Sequence, residues 1–599
     1  MTQKRTIRIG GASGYWGDTA AAPRQLVERG AVDFLVFDYL AEVTMSILAK
    51  QHARAPDAGY ARDFVTGVMR PLIGDIARRG IKVVANAGGV NLEACRRALE
   101  AVMAEAGVSL RVATVEGDNL LPRMDRLRAL AITEMGTGAP LPDRLMSANA
   151  YFGAFPIAAA LDAGADIVLT GRCVDSAVTL GPLIHAFGWG ADDRDRLAQG
   201  SLCGHLLECG AQATGGNFTD WRDVEAGWED VGFPIAEVEA SGSFIVTKPP
   251  GTGGLVSPLT VGEQLLYEIG DPAAYLLPDV SCDFTQVTLA PEGPDRVRVE
   301  GARGAPPTDT YKVSATHAGG FRSVGSTVFA GFDAAPKARR TGEAIIRRVE
   351  RMLHERGLPP FRAQAIDVIG DGALVCGVGG EAPRECVLRV AVRHDAKEGA
   401  DLFAYEYVGT GLSMSTGRCG LEGGRPSVSP VVRLFSFLLP KAEAPATVRV
   451  DGDDIAFQPP PTAGDAPPRA PAPALPDHAP VGREIAVPLI ALAVARSGDK
   501  GPDANVGVMA RDAKYLPAIR ASLTEGAVRR HFGRLCDGPV ERYDLPGMGA
   551  LNFVLRDALG GGGTSSMRLD VQGKTYAQIL LSIPVSIPEA WGNEVGRRV

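Results

Sequence analysis

The sequence lacks the cysteine pattern of a disulfide or zinc framework. Its nine cysteines are odd in number and scattered, and no Cys-x-x-Cys pair occurs among them. The eight histidines include no His-Glu-x-x-His motif and no close pair. We therefore expect reduced thiols, as in a cytosol, and no dedicated metal site.

Long apolar runs and an excess of positive charge are also missing. No apolar stretch approaches the ~20 residues that a helix needs to span a bilayer. The opening segment, MTQKRTIRIGGASG, enters a strand pattern directly and lacks the apolar core of a signal peptide. The net charge is −8, and no Lys/Arg run is interleaved with aromatic residues. We therefore expect a cytoplasmic protein with no membrane or nucleic-acid partner.

The composition that remains is typical of a large globular protein. The chain has 599 residues, of which 45% are hydrophobic and 22% charged, so more than one domain is expected. Residues 458–480 are mostly Pro, Ala and small polar residues, which predicts an extended linker with nothing to bury. We therefore expect a large α/β domain over residues 1–455, a Pro/Ala-rich linker over 456–482 and a small α/β sandwich over 483–599.

Short apolar runs alternate with helical patterns in the first third of the chain. Predicted strands are 6–9, 34–37, 82–85, 111–115 and 167–169; predicted helices are 23–29, 44–52, 92–106, 124–135, 151–163 and 176–187. This alternation predicts a parallel sheet covered on both faces. A doubly wound, Rossmann-like sheet is the first choice and a β/α barrel the alternative. After about residue 235, β-rich runs replace the helices, which predicts an α+β extension.

The end of the last predicted strand of that region is the first candidate site. In open α/β sheets, ligands bind at the carboxyl edge of the strands. Arg172 follows this strand and is suited to hold a carboxylate or phosphate through two hydrogen bonds. Asp175 is either a general base or the N-cap of the next helix. Cys173 fits a buried small residue better than a nucleophile.

The other strand ends supply further polar side chains. The glycine-rich loop 10–18 matches neither G-x-G-x-x-G nor a P-loop. The substrate-binding candidates at these ends are Asp18, Asn86, Asn91, Glu116 and Asn119, with Asp118 as a candidate acid or base. Ordinary roles compete with these assignments: a tight turn for the first loop, a helix cap for Asn91 and solvated charge for Glu116 and Asp118.

The segment GHLLECG at 204–210 carries His205, Glu208 and Cys209. On a helix His205 and Cys209 share a face, which allows a Cys–His pair, although a core or cap histidine is equally compatible with the pattern. One of Asp175, Asp118 or His205 would be the general acid or base. The glycine-rich end of this segment, up to Asn217, is expected near the cleft and adds a binding candidate.

Two polar loops stand out in the C-terminal part. The segment 496–505 is predicted to join two strands and concentrates more charge than a hairpin needs, with Arg496, Asp499, Lys500 and Asn505 as candidate binding residues. The glycine run 560–563 is a candidate second anion-binding loop that could meet it.

Several of these motifs together resemble one known family. GGASGYWGD, NAGGVN, LTGRCVDSA and LLECGAQATGGNF resemble the acyclic terpene utilisation protein A (AtuA) family, and ARSGDKGPDANVGV with GGGGTSS resembles its ferredoxin-like C-terminal domain. The resemblance covers nearly the whole chain apart from the linker. It implies bacterial catabolism of branched acyclic terpenoid acids, alongside enzymes that act on acyl-CoA, and implies no settled reaction or catalytic residues.

The residues and the resemblance together favour an enzyme. We expect a lyase or hydratase acting on a small-molecule acid or acyl-CoA, with a CoA thioester as possible substrate and no other cofactor. Two alternatives stay open: a non-catalytic subunit or scaffold of an acyl-CoA pathway complex, and a metal-dependent hydrolase using Glu116 and Asp118. We also expect a homo-oligomer.

Overall fold

The computed structural model describes residues 6–372, 383–420, 424–462, 483–563 and 565–595. Most of the predicted linker therefore lies outside the described residues. Within the described ranges, no helix combines the length and apolar character required to cross a bilayer.

A parallel sheet forms the centre of the larger part, as the alternating pattern predicts. Its strands are β1 (Thr6–Gly11), β2 (Phe34–Phe37), β3 (Lys82–Ala85), β4 (Val112–Glu116) and, after β5 (Ser147–Ala150) in another sheet, β6 (Ile167–Thr170). They are ordered β1-β2-β3-β6-β4 and pair in parallel. The four residues of β2 and of β6 are all buried, because helices cover both faces.

Alternate side chains of these strands feed two apolar cores. On one face lie α1 (Ala21–Arg29), α2 (Glu42–Arg54), a π-helical turn (Phe64–Met69), α3 (Arg70–Arg79) and α4 (Leu92–Ala106); on the other lie α5 (Met124–Ala129), α6 (Phe155–Asp162), α7 (Ala177–Phe187) and α8 (Arg194–Leu207). Val83 points into the first core and Val84 into the second, as a strand periodicity of two requires.

The winding of this sheet differs from the sequence-based expectation. β1, β2 and β3 follow one another in one direction, whereas a dinucleotide-binding sheet starts at a middle strand and winds outward both ways. Antiparallel strands extend the sheet on both sides. Before β1 the order is Thr288–Pro291, Val297–Glu300, Phe244–Thr247 and Ile235–Glu239, and after β4 it is Thr447–Val450 and Asp453–Ile455. The described sheet is therefore mixed and open, and the barrel alternative is wrong.

The middle of the chain supplies those added strands and a second sheet. Its elements are β7 (Ile235–Glu239), β8 (Phe244–Thr247), α9 (Pro258–Leu266), β9 (Tyr275–Leu276), β10 (Ser281–Asp283), β11 (Thr288–Pro291), β12 (Val297–Glu300), β13 (Arg303–Ala305), β14 (Thr310–Ala330), α10 (Ala334–Glu355), β15 (Ala363–Ile369), β16 (Glu385–His394), α11 (Lys397–Gly409), β17 (Arg418–Gly420), β18 (Val428–Pro440), β19 (Thr447–Val450) and β20 (Asp453–Ile455). The long strand β14 pairs with β16, β17, β18 and also β5, which ties the second sheet to the first part of the chain.

The C-terminal part forms a four-stranded antiparallel sheet in the order β22-β23-β25-β24. Its elements are β21 (Glu484–Pro488), β22 (Ala493–Lys500), β23 (Asp503–Ala510), α12 (Leu516–Ser522), α13 (Glu525–Phe532), β24 (Val540–Leu545), β25 (Ala550–Leu555), α14 (Tyr576–Leu580), β26 (Pro584–Pro588) and α15 (Gly592–Val595). The segment 496–505, predicted to be a loop, is thus the end of a hairpin whose strands run up to a two-residue turn.

The C-terminal sheet packs directly on α9 of the larger part. Glycine makes the approach possible: a Cβ at Gly507 would lie 2.3 Å from the Cβ of Leu266, and one at Gly498 would lie 2.6 Å from Cγ of Glu268. The side chain of Asn552 donates to the backbone oxygens of Ile269 and Gly270 at 3.1 and 2.7 Å. These contacts bring the β22–β23 hairpin to the carboxyl edge of the parallel sheet.

Candidate functional site

Polar side chains that follow four parallel strands meet at the carboxyl edge of the sheet. Asp38 follows β2 and accepts a hydrogen bond of 2.5 Å from Nδ2 of Asn86, which follows β3. Asp118 follows β4 and accepts from the backbone N–H of Arg172, after β6, at 2.8 Å. The strand-end loops therefore converge on one rim, as parallel topology leads one to expect.

Arg172 lies at the centre of this rim. Its Nη1 donates to Asp175 at 2.6 Å and to the carbonyl of Cys173 at 2.7 Å, and its guanidinium lies 4.1 Å from the ring centre of Tyr151. The side chain is only 5% exposed. Although burial lowers it, the pKa of Arg172 is raised overall by Asp175, Tyr151 and Glu42, so the guanidinium stays charged.

The carboxyl groups around Arg172 differ in protonation. Burial, and then Asp175, raise the pKa of Asp38 well above its ordinary value. Burial acts in the same direction on Glu42, but Lys312 and Arg172 lower the pKa of Glu42 to about 2. The hydroxyl of Tyr151 donates to Glu42 at 2.5 Å. The pKa values of two acids on one rim are thus shifted in opposite directions.

A narrow cleft lies between these residues and the second sheet, and in this structure its walls are too close together to admit a water molecule. Its lining comprises Glu42, Met45, Ser147, Asn149, Tyr151, Arg172, Ser314 and Thr316. Three lining atoms are buried without a hydrogen-bond partner among the described residues: Oδ1 of Asn149, Nε of Arg172 and Oγ of Ser314. Buried polar groups are nearly always paired, so this cleft offers an unused acceptor, donor and hydroxyl.

His205 lies deeper in the same region, buried on α8. Its Nε2 is 3.0 Å from the carbonyl oxygen of Leu265, and its Nδ1 is 2.9 Å from Oε1 of Glu208. Because a carbonyl only accepts, Nε2 carries a hydrogen and Nδ1 is left to share a proton with Glu208. The core-histidine interpretation of His205 is therefore confirmed, and the alternative Cys–His pair is not formed because both ring nitrogens have other partners.

Glu208 has one carboxyl oxygen hydrogen-bonded to His205 and the other left unpaired among the described residues. Its Oε2 is buried and has no partner among the described residues, and burial raises the pKa of Glu208. A carboxyl group whose pKa is raised keeps its proton to a higher pH than usual, which favours a role as general acid. His205, predicted as a candidate acid or base, is therefore placed to orient Glu208.

The C-terminal part completes the site. Asp499 and Lys500 lie at the tip of the β22–β23 hairpin, and Nζ of Lys500 is 5.7 Å from the ring centre of Tyr275, which packs on His205. Burial, and then Glu42, raise the pKa of Asp499 to about 6. Arg496 lies over the ring of Tyr267, 5.0 Å from its centre. The charged hairpin predicted from sequence therefore lies near the cleft, close enough for Glu42 to act on Asp499.

Lys574 and Glu268 add an ion pair beside this hairpin. Nζ of Lys574 is 3.2 Å from Oε1 of Glu268, and burial lowers the pKa of Lys574 to about 8. Glu268 has a left-handed backbone with φ +56°. The side chain of Asn505, fully buried, accepts from the N–H of Glu268 at 2.8 Å and donates to the carbonyl of Leu266 at 2.7 Å, so it holds this unusual turn in place.

Several predicted site residues have structural partners outside the cleft. Glu116 is 2.7 Å from Arg449 in a separate groove of about 380 Å³. Asn91 caps α4 by accepting from Ala94 and donates to the carbonyls of Pro56 and Ala58. Glu116 and Asn91 thus have partners outside the cleft, and their assignment as substrate-binding residues stays a prediction.

Asp18, Asn119 and Asn217 mainly stabilise local turns. Asp18 accepts from the N–H of Gly14 at 2.9 Å, Asn119 accepts from that of Leu121 at 3.1 Å, and Asn217 donates to Gln212 at 3.3 Å. Asp18 still lies beside the rim, because a Cβ at Gly210 would be 3.6 Å from its Oδ2.

Asp118 and Cys173 are both buried, which agrees with the interpretation of Cys173 as a buried small residue and leaves the acid–base role of Asp118 a prediction. Asp118 is buried and accepts from Nδ2 of Asn149 as well as from Arg172, and burial raises its pKa to about 6. Burial also raises the pKa of Cys173 to about 12, which disfavours the nucleophilic thiolate. Asp118 and Glu116 have different partners, and no group of three or more His, Cys, Asp or Glu in the described ranges could hold a metal ion.

Sequence reasoning missed several residues of the site. Asp38 and Glu42 follow β2, so the rule that selected Asn86 and Asp118 would have found them. Ser314 and Lys312 lie in the middle of a strand pattern, and only the pairing of β14 with β5 brings them to the rim. Their sequence surroundings carry no comparable signal.

Two family models match the chain. The model of the acyclic terpene utilisation family protein AtuA matches residues 7–450, and that of the AtuA ferredoxin-like domain matches residues 487–586. No curated protein and no solved structure matched. The first model spans more than half of the chain, and the chain belongs to the acyclic terpene utilisation AtuA family, with a ferredoxin-like domain at its C-terminal side.

Proposed function

We propose that the protein is an enzyme of acyclic terpenoid or branched-chain acid breakdown that acts on an acyl-CoA as a lyase or hydratase. The observation that carries this proposal is the set of unpartnered atoms in the cleft: Nε of Arg172, Oδ1 of Asn149 and Oγ of Ser314. A buried polar atom left without a partner costs free energy. A ligand that parts the walls of the cleft and presents a carbonyl oxygen and a hydroxyl group would pair with these atoms.

The chemistry follows from where these atoms lie. Nε of Arg172 and the hydroxyl of Ser314 would hold the carbonyl oxygen of a thioester or acid, and would stabilise the negative charge that develops there when a proton leaves the neighbouring carbon. The oxygen of Asn149 would accept a hydrogen bond from the water or hydroxyl that is added or removed. The rim thus offers recognition of both reacting groups.

Proton transfer is the second requirement of a hydratase or lyase. One group must take or return a proton at carbon, and another must protonate or deprotonate the oxygen. Asp175, ion-paired with Arg172 and 40% exposed on its side chain, is our candidate base. Asp38 and Glu208, whose pKa values are raised by burial, are candidate acids.

The family supports the substrate class. The matching model describes acyclic terpene utilisation, and the cleft's positive centre at Arg172 suits an acid or a thioester. The scaffold alternative gains no support from the fold, because the C-terminal part places Asp499, Lys500 and Lys574 near the cleft. The hydrolase alternative needs Glu116 and Asp118 together, and these residues bind different partners.

The test is a turnover assay with the full chain. Branched acyclic enoyl-CoA thioesters and the corresponding free acids are incubated with the protein, and mass spectrometry follows the gain or loss of one water or the cleavage of a carbon–carbon bond. We expect turnover of at least one thioester. A protein that neither binds nor converts any member of the panel contradicts the proposal.

Variants then locate the reaction. Ser314→Ala and Glu208→Gln should each lower kcat/KM by at least about ten-fold, the usual scale for lost charge stabilisation or acid–base catalysis. Asp125→Asn, at a fully exposed acid on α5, is the matched control and should keep wild-type kinetics. Unchanged kinetics in both site variants would place the reaction elsewhere.

A further inference from the structure

Four arginines share one face of the second sheet. Arg322 on β14 lies directly opposite Arg393 on β16 in the antiparallel register. Arg389 is four residues before Arg393 and therefore projects from the same face. Arg433 on β18 is four residues after Ser429, which pairs with Arg322, and it therefore projects from this face as well. We call Arg322, Arg389, Arg393 and Arg433 the arginine patch; α10 and α11 cover the opposite face of this sheet.

The charge of the patch is largely uncompensated. Arg389 is paired with Asp367 at 2.6 Å. The side chains of Arg322 and Arg433 have no hydrogen bond or ion pair with any residue that the structure describes. Nε of Arg393 is buried and has no acceptor in the described ranges. Like charges placed directly across a strand pair destabilise a sheet, so an anion between these side chains would be stabilising.

Crowding of these cations lowers the pKa values of two of them. Burial, and then Arg389, lower the pKa of Arg322, and burial, Arg433 and Arg362 lower the pKa of Arg393. Asp395 acts on Arg393 in the opposite direction, but Asp395 is ion-paired with Arg362 at 2.9 Å. The fold therefore keeps several charged guanidinium groups close together.

The C-terminal part forms one wall of the patch. Nη1 of Arg393 donates to the carbonyl of Ser565 at 3.1 Å, and Nη1 of Arg389 donates to that of Met567 at 3.1 Å. The glycine run 560–563 precedes these residues, and a Cβ at Gly562 would lie 2.2 Å from the carbonyl oxygen of Gly501. Gly501 is in the turn of the β22–β23 hairpin, next to Lys500 near the cleft.

We propose that the arginine patch binds the phosphate groups of a phosphate ester, the charged end of a substrate whose acyl end occupies the cleft. The substrate part of this inference rests on the proposed function. Guanidinium groups match phosphate oxygens through paired hydrogen bonds, which lysine cannot reproduce. A thioester of coenzyme A carries its phosphates far from its acyl group, and the patch and the cleft lie beside the same hairpin.

The first test measures binding of phosphate compounds to the full chain. Titration calorimetry with pyrophosphate and with adenosine 3′,5′-bisphosphate, at constant ionic strength, should show binding to the wild type. Arg322→Gln and Arg433→Gln should each weaken it at least ten-fold, while Arg347→Gln, an exposed arginine on α10, should leave it unchanged. Binding of the bisphosphate alone identifies a nucleotide end; binding of both identifies a general phosphate site.

Two results would overturn the inference. One is a wild type that binds neither compound; the other is equal affinity in Arg322→Gln and wild type. Thermal unfolding in the absence of ligand shows whether each variant folds, and removal of a crowded cation should not lower the melting temperature. A variant that unfolds earlier is replaced by Arg322→Lys, which keeps the charge and should still bind more weakly than the wild type.

The two proposals fail separately. If a CoA thioester is converted and its KM is the same in Arg322→Gln and wild type, the patch inference is wrong and the proposed function stands. If adenosine 3′,5′-bisphosphate binds at the patch but no thioester is bound or converted, the phosphate site stands and the proposed reaction is wrong.

Discussion

Single residues of the cleft are held in states that would be unfavourable elsewhere. Glu268 has a left-handed backbone, which costs an L-residue with a side chain roughly 1–2 kcal/mol. The carboxyl group of Asp118 and the charged guanidinium of Arg172 are both buried. Such local costs are tolerated where the surrounding structure imposes them, and they concentrate at functional sites. Two of them can be measured directly.

The strain at Glu268 is measured by comparing two substitutions at the same position. Both Glu268→Gly and Glu268→Ala remove the ion pair with Lys574, but only glycine relieves the left-handed backbone. We expect Glu268→Gly to be more stable than Glu268→Ala by about 1 kcal/mol, measured by urea unfolding. Equal stability would mean that this turn carries no strain.

The buried Asp118 predicts a pH dependence of stability. Burial raises its pKa to about 6 from the ordinary 3.8 of an aspartate, so the folded protein keeps this proton to higher pH than the unfolded chain. The protonated form therefore stabilises the fold at low pH, and this contribution is lost as the pH rises through the interval between the two pKa values.

Asp118→Asn removes that titration. Between about pH 4 and pH 6, the free energy of unfolding of the wild type should fall relative to that of Asp118→Asn, by about 2–3 kcal/mol in total. Urea unfolding of both proteins at several pH values measures the difference. A difference that is constant or that grows in the wild type's favour would show that the pKa of Asp118 is not raised.

At the scale of elements, the site depends on how closely α9 approaches the β22–β23 hairpin. Gly507 and Gly498 face the end of α9 without side chains, and Asn505 and Asn552 hydrogen-bond to the backbone that follows it. This arrangement sets both the position of Glu268 and the height of the hairpin above the rim.

Gly507→Ala tests that close approach. Its Cβ would meet Leu266 at 2.3 Å, so one of the two elements must move, and we expect a loss of about 1–3 kcal/mol. Gly74→Ala is the matched control: it lies in α3 with nothing within 4 Å of the added Cβ, and should stabilise the protein by about 0.5–1 kcal/mol. Calorimetric melting of both variants gives the comparison.

At the scale of the whole molecule, the two parts of the chain share a polar as well as an apolar interface. Arg511 pairs with Asp220, Thr219 exchanges hydrogen bonds with the backbone of Ala495 at 3.1 Å, and Asn505 is fully buried between them. Separation would expose these buried groups and the α9 surface. The expected homo-oligomer stays a prediction.

This interface predicts cooperative unfolding. Differential scanning calorimetry of the full chain should show one transition rather than two, because neither part keeps its buried polar partners alone. Arg511→Ala leaves the partly buried Asp220 unpaired and should lower that single melting temperature. Two transitions, one unaffected by Arg511→Ala, would show that the C-terminal part unfolds independently.

The elements that local pattern determines were predicted well. β2, β3 and α4 have the predicted bounds, because apolar runs, loop residues and the cap at Asn91 all act within a few residues. Predictions failed where tertiary contacts decide. The helix predicted over 124–135 ends at Ala129, and Met135 instead donates to the backbone of Ser436. The helix predicted over 151–163 begins only at Phe155.

The sequence by itself determined that strand-end loops carry the polar residues, since a parallel sheet sends its carboxyl ends to one edge whatever the strand order. It led to Asn86, Asp118, Arg172 and Asp175 for that reason. Only the tertiary structure decided which atoms are left unpaired and which acids keep their protons, because both depend on burial by distant segments. Ser314, Lys312 and Lys574 reach the site through strand pairing and packing that no local spacing encodes.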